Sequence, residues 1–242
     1  MTPALAPSQR IITALDVENK AQALALVDQL GQASLFKIGL ELFTAEGPAL
    51  LREIQALGKG IFLDLKLHDI PNTVGEAARI GVRNGARMMT IHASGGKSMM
   101  ARAAETAAEE ADKRGFPRPV LLGVTILTSL QNEDLASVGM APDTPAQVLR
   151  LAALARAAGL SGVVCSAKEI EIVRKETGPE FLIVTPGIRP AGASAQDQKR
   201  VMTPAEAVAR GSDYLVIGRP ITQAASPAAA FAAIVRELEA GL

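Results

Sequence analysis

Residues that form disulfides or bind soft metals are scarce in this sequence of 242 residues, which contains one cysteine and two histidines. The single cysteine, Cys165, cannot form a disulfide within the chain, and disulfides are characteristic of secreted proteins. Structural zinc sites use four ligands, mostly cysteine and histidine, so such a site is excluded as well. We therefore expect a cytoplasmic protein in which any metal would have to be held by carboxylates.

Long apolar runs and runs of like charge are also missing. The longest uncharged stretch, residues 220–235, includes Gln, Ser and Pro, whereas a membrane-spanning helix needs about 20 mostly apolar residues. Residues 1–10 contain two prolines and no apolar run, so no signal peptide is expected. Because 25 basic residues balance 25 acidic ones, we expect neither nucleic acid nor a membrane surface as a partner. A small molecule is the favoured ligand.

Short apolar runs, mostly rich in Val, Ile and Leu, recur along the whole chain. Their length and composition are typical of strands that are buried on both faces. With 48% hydrophobic residues, the chain has enough apolar surface for a large core. The eight runs are residues 11–15, 35–38, 61–65, 88–91, 120–126, 162–165, 181–184 and 214–217.

Helical patterns separate these runs. Leu50, Ile54 and Leu57 have the spacing of one helical face and are followed by Gly58, a typical helix stop. The sequence 203–206 (TPAE) predicts a helix N-cap with Pro at the first helical position and a capping Glu. Eight such strand and helix units of about 30 residues each, without a linker, predict an α/β protein: a single (β/α)8 TIM barrel over residues 1–242. An open doubly wound sheet is the alternative.

Charged residues occur where the first three strands end. Asp16 follows the first run, Lys37 lies in the second, and Asp64 and Lys66 close the third. Parallel barrels carry their sites at these strand ends, and residues two apart on a strand share a face. Opposite charges 4 Å apart attract by roughly 4 kcal/mol at an effective dielectric of about 20, so each charge tolerates burial only beside the others. Such an array predicts a ligand site, and an ion-pair network that merely closes the barrel is the alternative.

Two further strand ends carry polar groups with more than one reading. Asp69 follows the third run and would cap the next helix, bind a ligand or reach a partner subunit; its position slightly favours the cap. Gly218 and Arg219 follow the eighth run, where barrels commonly bind phosphate. Glycine lets the backbone approach an anion and arginine chelates it, whereas a surface arginine before a proline turn is the alternative.

Three more features are candidates of lower specificity. The segment 185–200 after the seventh run is long, polar and rich in Gly, Ala and Pro, which is typical of a mobile lid, and its Gln198 would reach the ligand. Thr128 and Ser129 after the fifth run offer hydroxyls for a base edge, or form an ordinary turn. His92 is interpreted as a packed histidine outside the site.

Seven motifs in this order resemble one known family. They are Leu15-Asp16, FKIGLELF at 36–43, FLDLKLHDIPNTV at 62–74, ILTSL at 126–130, TPGIRP at 185–190, DQKRVMTP at 197–204 and IGRPIT at 217–222. From about residue 10 to 236 the chain is similar to the orotidine 5′-phosphate decarboxylases. The resemblance implies conversion of orotidine 5′-monophosphate to UMP and carbon dioxide, the last step of de novo UMP synthesis. It also implies a cytoplasmic homodimer with shared active sites, without cofactor or metal.

The resemblance also assigns roles to residues. Lys66 is implied as the catalytic lysine, with Asp64 and Lys37 as its charged neighbours. The residues implied to enter the site of the other subunit are Asp69, which counts among the catalytic ones, Ile70 and Thr73. The residues implied to bind the substrate within one chain are Asp16 at the ribose or base, Thr128 and Ser129 at the pyrimidine, and Arg189, Gln198, Gly218 and Arg219 at the phosphate.

Two other functions fit part of the pattern. A sugar-phosphate lyase or epimerase on the same barrel would bind Mg²⁺ at Asp64 and would share the phosphate site, but the sequence HDIPNT and Gln198 argue against it. A barrel that binds nucleotides without catalysis would bind UMP without turnover, and it would ordinarily have lost Lys66 or Asp64. Activity that survives EDTA separates the decarboxylase from the metal-dependent enzyme.

Overall fold

The chain forms a closed barrel of eight parallel strands in the computed structural model, which describes residues 5–190 and 202–241. Neighbouring strands follow the chain order, and β8 pairs with β1 to close the barrel. This confirms the predicted (β/α)8 barrel and excludes the open sheet. The strands are β1 Ile11–Ala14, β2 Leu35–Gly39, β3 Gly60–Leu67, β4 Ala86–His92, β5 Val120–Val124, β6 Gly162–Val164, β7 Leu182–Pro186 and β8 Tyr214–Ile217.

Helices follow every strand. Within the described ranges, none of them is long and apolar enough to cross a membrane. Single turns of 3-10 helix precede β1 and follow β4. The α-helices are α1 Lys20–Gln29, α2 Leu40–Ala56, α3 Pro71–Arg83, α4 Lys97–Arg114, α5 Asn132–Ser137, α6 Thr144–Ala157, α7 Ile170–Thr177, α8 Pro204–Ala209, α9 Arg219–Thr222 and α10 Pro227–Gly241.

The predicted capping box at the start of α8 is present. Thr203 Oγ1 accepts a hydrogen bond from the backbone N–H of Glu206 at 3.3 Å, and the Glu206 carboxylate accepts from the N–H of Thr203 at 2.9 Å. Pro204 takes the first helical position, where its missing N–H costs nothing. The local sequence therefore fixes the start of this helix.

Only β8 has the predicted bounds; the other strands differ from the predicted runs by one or two residues at one or both ends, and the differences in β5 and β3 lie at the end of the barrel that carries the charged residues. β5 ends at Val124 instead of residue 126, because its neighbour β6 is short and their pairing stops at Val164. β3 continues to Leu67 instead of ending at residue 65. Its pairing with β4 shifts by two residues between Leu63 and Leu67, so that three β3 residues lie opposite Thr90. This bulge places Lys66 inside the strand.

The core consists of two layers. Apolar side chains such as Ile12, Phe62, Met88 and Leu122 fill the inside of the barrel. A larger cluster packs between the barrel and the surrounding helices. The strands are thus buried on both faces, which explains why their sequences are continuous apolar runs rather than alternating ones.

A buried ion-pair cluster joins α3 to α4. The carboxylate of Glu110 is almost fully buried and accepts hydrogen bonds from the Nε atoms of Arg83, at 2.8 Å, and Arg114. Hydrogen bonds from Arg83, which has the largest effect, and from Arg114 lower the pKa of Glu110 to about 2. Because the folded state lowers this pKa, the cluster stabilises the fold at neutral pH and loses its contribution as the pH falls from about 4.5 towards 2.

Glu110→Gln is therefore expected to lower the Tm of the protein at pH 7, and the difference from the wild type should shrink as the pH falls below 4.5. Thermal unfolding followed by circular dichroism at pH 7, 5 and 3 measures this. Glu105→Gln is the control, because Glu105 pairs with Arg102 on the exposed surface, where ion pairs contribute little. A Tm difference for Glu110→Gln that stays constant with pH would contradict the assignment.

Candidate active site

Four charged side chains meet at the carboxyl-terminal ends of the first three strands. Lys66 Nζ lies 2.9 Å from Asp64 Oδ2, and Lys37 Nζ lies 3.8 Å from the same oxygen. Lys37 Nζ also contacts Asp16 Oδ1 at 2.8 Å. The structure thus brings together the four residues that sequence analysis placed at these strand ends, in the order Asp16, Lys37, Asp64, Lys66.

Burial differs along this charged cluster, defined as Asp16, Lys37, Asp64 and Lys66. The side chains of Lys37 and Asp64 are only 11% and 12% exposed, that of Lys66 is 32% exposed, and that of Asp16 is 59% exposed. The two inner charges are retained in the barrel because each has an opposite charge beside it. The outer ends, Asp16 and Lys66, are accessible to a ligand above the barrel.

Gly39 leaves room for the side chain of the buried Lys37. A Cβ atom at Gly39 would lie 3.0 Å from Lys37 Nζ and 3.6 Å from Asp16 Oδ1. With a side chain at this position, the ammonium would have to shift by a few tenths of an ångström. Gly39, the last residue of β2, is therefore part of the architecture that holds Lys37 in place.

Lys66 has a left-handed backbone conformation. Its φ of 50° makes it the only non-glycine residue with positive φ in the two described ranges, and such a conformation is unfavourable for a lysine. The prediction that Asp64 and Lys66 are neighbours is right, but the regular alternation on which it was based does not hold at the bulge. The backbone around Lys66 departs from the extended strand, and other contacts must hold it there.

Thr90 provides one of these contacts, and sequence analysis did not identify it. Its Oγ1 lies 2.9 Å from the backbone nitrogen of Lys66 and 2.8 Å from Asp64 Oδ1. The only signal in the sequence was a polar residue inside an apolar run, MMTIH at 88–92. A buried strand threonine is common enough that this signal does not stand out.

His92, which sequence analysis placed outside the site, is near enough to the charged cluster for Lys66 and Asp64 to influence its pKa. It ends β4, and its ring centroid is 5.4 Å from that of His68, which follows β3. Burial lowers the pKa of His92, and its electrostatic interactions with His68 and Lys66 lower it further. His92 therefore stays neutral at pH 7 and adds no charge to the site.

The segment that follows β3 is exposed from His68 to Thr73. The favoured reading of Asp69 as a helix cap is wrong: the N-cap of α3 is Ile70, and no side chain caps this helix. Because Pro71 takes the first helical position, the N-cap is Ile70, one residue after Asp69. Asp69 Oδ1 instead accepts from the N–H of Ile70 at 2.6 Å, and Ile70 itself is 67% exposed.

The loop after β5 borders a separate cleft. Thr128 and Ser129 are exposed and line a cavity of about 780 Å³ together with residues that follow β6 and β7, among them Ser166 and Gly187. None of the residues of the charged cluster lines this cavity. Within the described residues, the structure therefore places these two hydroxyls at the same end of the barrel but does not bring them into contact with the charges.

The end of β8 lies beside the start of the charged cluster. A Cβ atom at Gly218 would lie 3.6 Å from Asp16 Oδ2, because β8 pairs with β1. Arg219 is exposed and opens the short helix α9. The backbone N–H of Arg189, after β7, donates to the carbonyl of Met202 at 3.2 Å. Gln198 and most of the predicted lid lie outside the described residues.

The donor set of the cluster suits an organic ligand better than a metal. Asp64 Oδ2 faces two ammonium groups and Asp64 Oδ1 accepts from Thr90, so its oxygens are already engaged. Over the described parts of the chain, no three His, Cys, Asp or Glu side chains are grouped to hold a metal ion. Ammonium groups at this position attract a carboxylate or stabilise a developing negative charge.

Comparisons with known proteins agree with the resemblance seen in the motifs. A model of the family described as orotidine 5′-phosphate decarboxylase / HUMPS matches residues 9–234. A protein from Moorella thermoacetica named orotidine 5′-phosphate decarboxylase is 54% identical over 232 residues, which cover 95% of this chain and 92% of that protein. One of the same name from Vibrio atlanticus is 52% identical over 228 residues, which cover 93% and 96%.

The fold has a counterpart among solved structures. The crystal structure of an orotidine 5′-phosphate decarboxylase from Lactobacillus acidophilus is similar to this chain with a TM-score of 0.85 and 38% sequence identity. The match covers 95% of this chain and 99% of that one. The range matched by the family model, residues 9–234, includes the whole charged cluster.

Proposed function

The chain belongs to the orotidine 5′-phosphate decarboxylase / HUMPS family, and from this premise we propose that it converts orotidine 5′-monophosphate to UMP and carbon dioxide in pyrimidine biosynthesis. The observation that carries the proposal is the charged cluster at the mouth of the barrel, in which an accessible ammonium on Lys66 lies 2.9 Å from a buried carboxylate on Asp64.

The reaction needs charge stabilisation at one carbon atom. When the bond between C6 and the carboxylate breaks, its electron pair stays on C6 in an sp² orbital that does not delocalise into a neighbouring carbonyl. An ammonium group at that position stabilises the charge that develops in the transition state more than it stabilises the substrate. No pyridoxal, thiamine or flavin group is required as an electron sink.

Lys66 and Asp64 divide this task. The Lys66 ammonium faces C6, stabilises the carbanion and then donates its proton to it, and the neutral amine recovers a proton from water. Asp64 holds the ammonium in place and lies near the departing carboxylate. Lys37 neutralises Asp64 from the other side and also pairs with Asp16. Asp16 binds the ribose or the base.

The phosphate lies at the opposite end of the substrate. Barrels commonly bind phosphate after strands seven and eight, beside the N-terminus of a short extra helix, and α9 is such a helix. Arg219 and Arg189 chelate the phosphate oxygens, Gly218 lets the backbone approach, and Gln198 bridges from the phosphate towards the base. The hydroxyls of Thr128 and Ser129 bind the pyrimidine.

The protein acts as a cytoplasmic homodimer with shared sites in this proposal. The exposed segment with Asp69, Ile70 and Thr73 supports it, since a 67% exposed isoleucine beside the site is suited to burial against a second subunit. These three residues then enter the site of the partner.

The direct test is the absorbance change of orotidine 5′-monophosphate on incubation with the purified protein and EDTA. We expect full activity under these conditions. Loss of activity with EDTA that Mg²⁺ restores would favour a metal-dependent lyase or epimerase. Binding of UMP without turnover of the substrate would favour a nucleotide-binding barrel without catalysis.

Arg219→Ala is expected to lower kcat/KM by about 100-fold, because charge-assisted bonds to phosphate are among the strongest hydrogen bonds. The loss should exceed the change in KM alone, since binding energy at the phosphate also promotes the chemical step. Steady-state kinetics measure both parameters. Arg118→Ala, which removes an exposed arginine paired with Asp112, is the control. Wild-type kinetics for Arg219→Ala would place the phosphate elsewhere.

A further inference from the structure

The bulge in β3 interrupts the hydrogen bonding between β3 and β4 at the catalytic lysine. Leu63 pairs with Met89 and Leu67 pairs with Ile91, so three residues of β3 lie opposite one residue of β4. Backbone groups in such a bulge lose their regular ladder partners. The single residue opposite the bulge is Thr90, and its side chain takes over part of the pairing.

The Thr90 hydroxyl accepts one hydrogen bond and donates another. The backbone N–H of Lys66 can only donate, so Oγ1 accepts from it at 2.9 Å. The one hydroxyl hydrogen is then donated to Asp64 Oδ1 at 2.8 Å. Thr90 is 1% exposed, so water does not replace either bond without a rearrangement of the barrel.

These two bonds act on both members of the ion pair. With Oδ1 held by Thr90, the other oxygen of Asp64 points to the ammonium groups of Lys66 and Lys37. The bond to the Lys66 N–H holds the backbone of that residue at its positive φ. The stiff β-branched side chain of Thr90 has few rotamers, so the hydroxyl itself is fixed.

We propose that Thr90 is a positioning residue for the decarboxylation: its hydroxyl fixes the backbone of Lys66 and the carboxylate of Asp64 relative to one another. The proposal rests on the proposed function, in which these two side chains act on the substrate. The Thr90 hydroxyl is bonded to Lys66 and Asp64, which act at the reacting carbon in the proposed function, so its loss should affect the chemical step and leave binding nearly unchanged.

Thr90→Val keeps the shape of the side chain and removes the hydroxyl. We expect kcat to fall by about 100-fold, the effect of a displacement of about 1 Å at a reacting group. KM should stay within about threefold of the wild type, because a group that acts only on the transition state leaves ground-state binding unchanged. Thr90→Ser restores the hydroxyl and should return kcat to within about threefold of the wild type.

Thr177→Val is the matched control. Thr177 is a buried threonine at the end of α7 whose hydroxyl donates to the carbonyl of Val173 at 2.8 Å. The same substitution there removes one buried hydroxyl bond away from the charged cluster, so kcat should not change. If Thr90→Val and Thr177→Val both lower the Tm and both keep wild-type kcat, Thr90 has only a structural role and the proposal is overturned.

A second variant covers the case in which Thr90→Val does not fold. Thr90→Cys replaces the hydroxyl by a thiol, which is a weak donor and acceptor. We expect its kcat to lie at least about tenfold below that of Thr90→Ser, since thiol hydrogen bonds position the pair poorly. Equal kcat values for the Cys and Ser variants would overturn the proposal.

Amide hydrogen exchange tests the contact independently of activity. Loss of the Thr90 hydroxyl should accelerate exchange at the Lys66 N–H by about tenfold or more, because that N–H loses its acceptor. A wild-type chain without decarboxylase activity would overturn the proposed function. Even without decarboxylase activity, faster exchange at the Lys66 N–H in Thr90→Val would support the claim that Thr90 fixes the backbone of Lys66. Unchanged exchange would overturn that claim.

Discussion

Lys66→Ala is expected to abolish turnover while the barrel stays folded. In the proposed mechanism, the ammonium stabilises charge that appears on C6 only in the transition state, and it also supplies the proton that C6 takes up. Proton donation by a positioned group and electrostatic stabilisation each contribute factors of about 10² or more, so a loss of more than about 10⁴-fold in kcat is expected. Steady-state and single-turnover assays of the purified variant measure it.

The fold should survive this substitution with a modest loss of stability. Lys66 is one-third exposed, and Asp64 keeps its contacts with Lys37 and Thr90 when the ammonium is removed. Binding of UMP should remain, since Lys66 acts mainly on the transition state in the proposed mechanism. Lys113→Ala, which removes an exposed lysine near the end of α4, is the control. A Lys66→Ala variant that retains a tenth of the wild-type kcat would contradict the assigned role.

Much of the fold was readable from local sequence. Eight apolar runs separated by helical patterns gave the barrel, because a strand buried on both faces leaves a continuous apolar signature in its own residues. Capping signals such as the one at Thr203 are also local. The positions of Asp16, Lys37 and Asp64 followed from the general rule that barrel sites lie at strand ends.

The features that could not be predicted from the sequence depend on contacts between residues far apart in the chain. The bulge at Lys66 arises from the pairing of β3 with β4, and the part of Thr90 in it depends on a register that no local pattern encodes. The position of Asp69 was misjudged for a related reason. A cap was expected from residue type, whereas Pro71 shifted the helix start by one residue. Sequence therefore identified which charged residues meet, but not what holds them.

The exposed carboxylate of Asp69 is the basis of the second prediction. In its own chain Asp69 is exposed, and no hydrogen bond or ion pair among the described residues connects it to the charged cluster. This is the arrangement expected if Asp69 completes the site of the partner subunit. Asp69→Ala and Lys66→Ala homodimers should then both be nearly inactive, because each lacks one component in both sites.

Mixing these two inactive variants is expected to restore activity. In a dimer with two-fold symmetry and shared sites, a mixed dimer combines the intact Lys66 of one chain with the intact Asp69 of the other, so one of its two sites is complete. Equal amounts that exchange subunits at random give mixed dimers for about half of the total, and activity should reach roughly a quarter of the wild type. Differently tagged chains confirm the exchange.

The negative control for this experiment uses two residues of the same chain. Lys66 and Asp64 are 2.9 Å apart within one subunit, so a mixture of Lys66→Ala and Asp64→Ala contains no complete site and should stay inactive. If Asp69 instead acts in the site of its own chain, the mixture of Asp69→Ala and Lys66→Ala stays inactive, as this control does. If the mixture stays inactive although subunit exchange is demonstrated, the shared site is ruled out. Recovery to about a quarter of wild-type activity would demonstrate the shared site, since only a contribution across a two-fold interface repairs two defects of this kind.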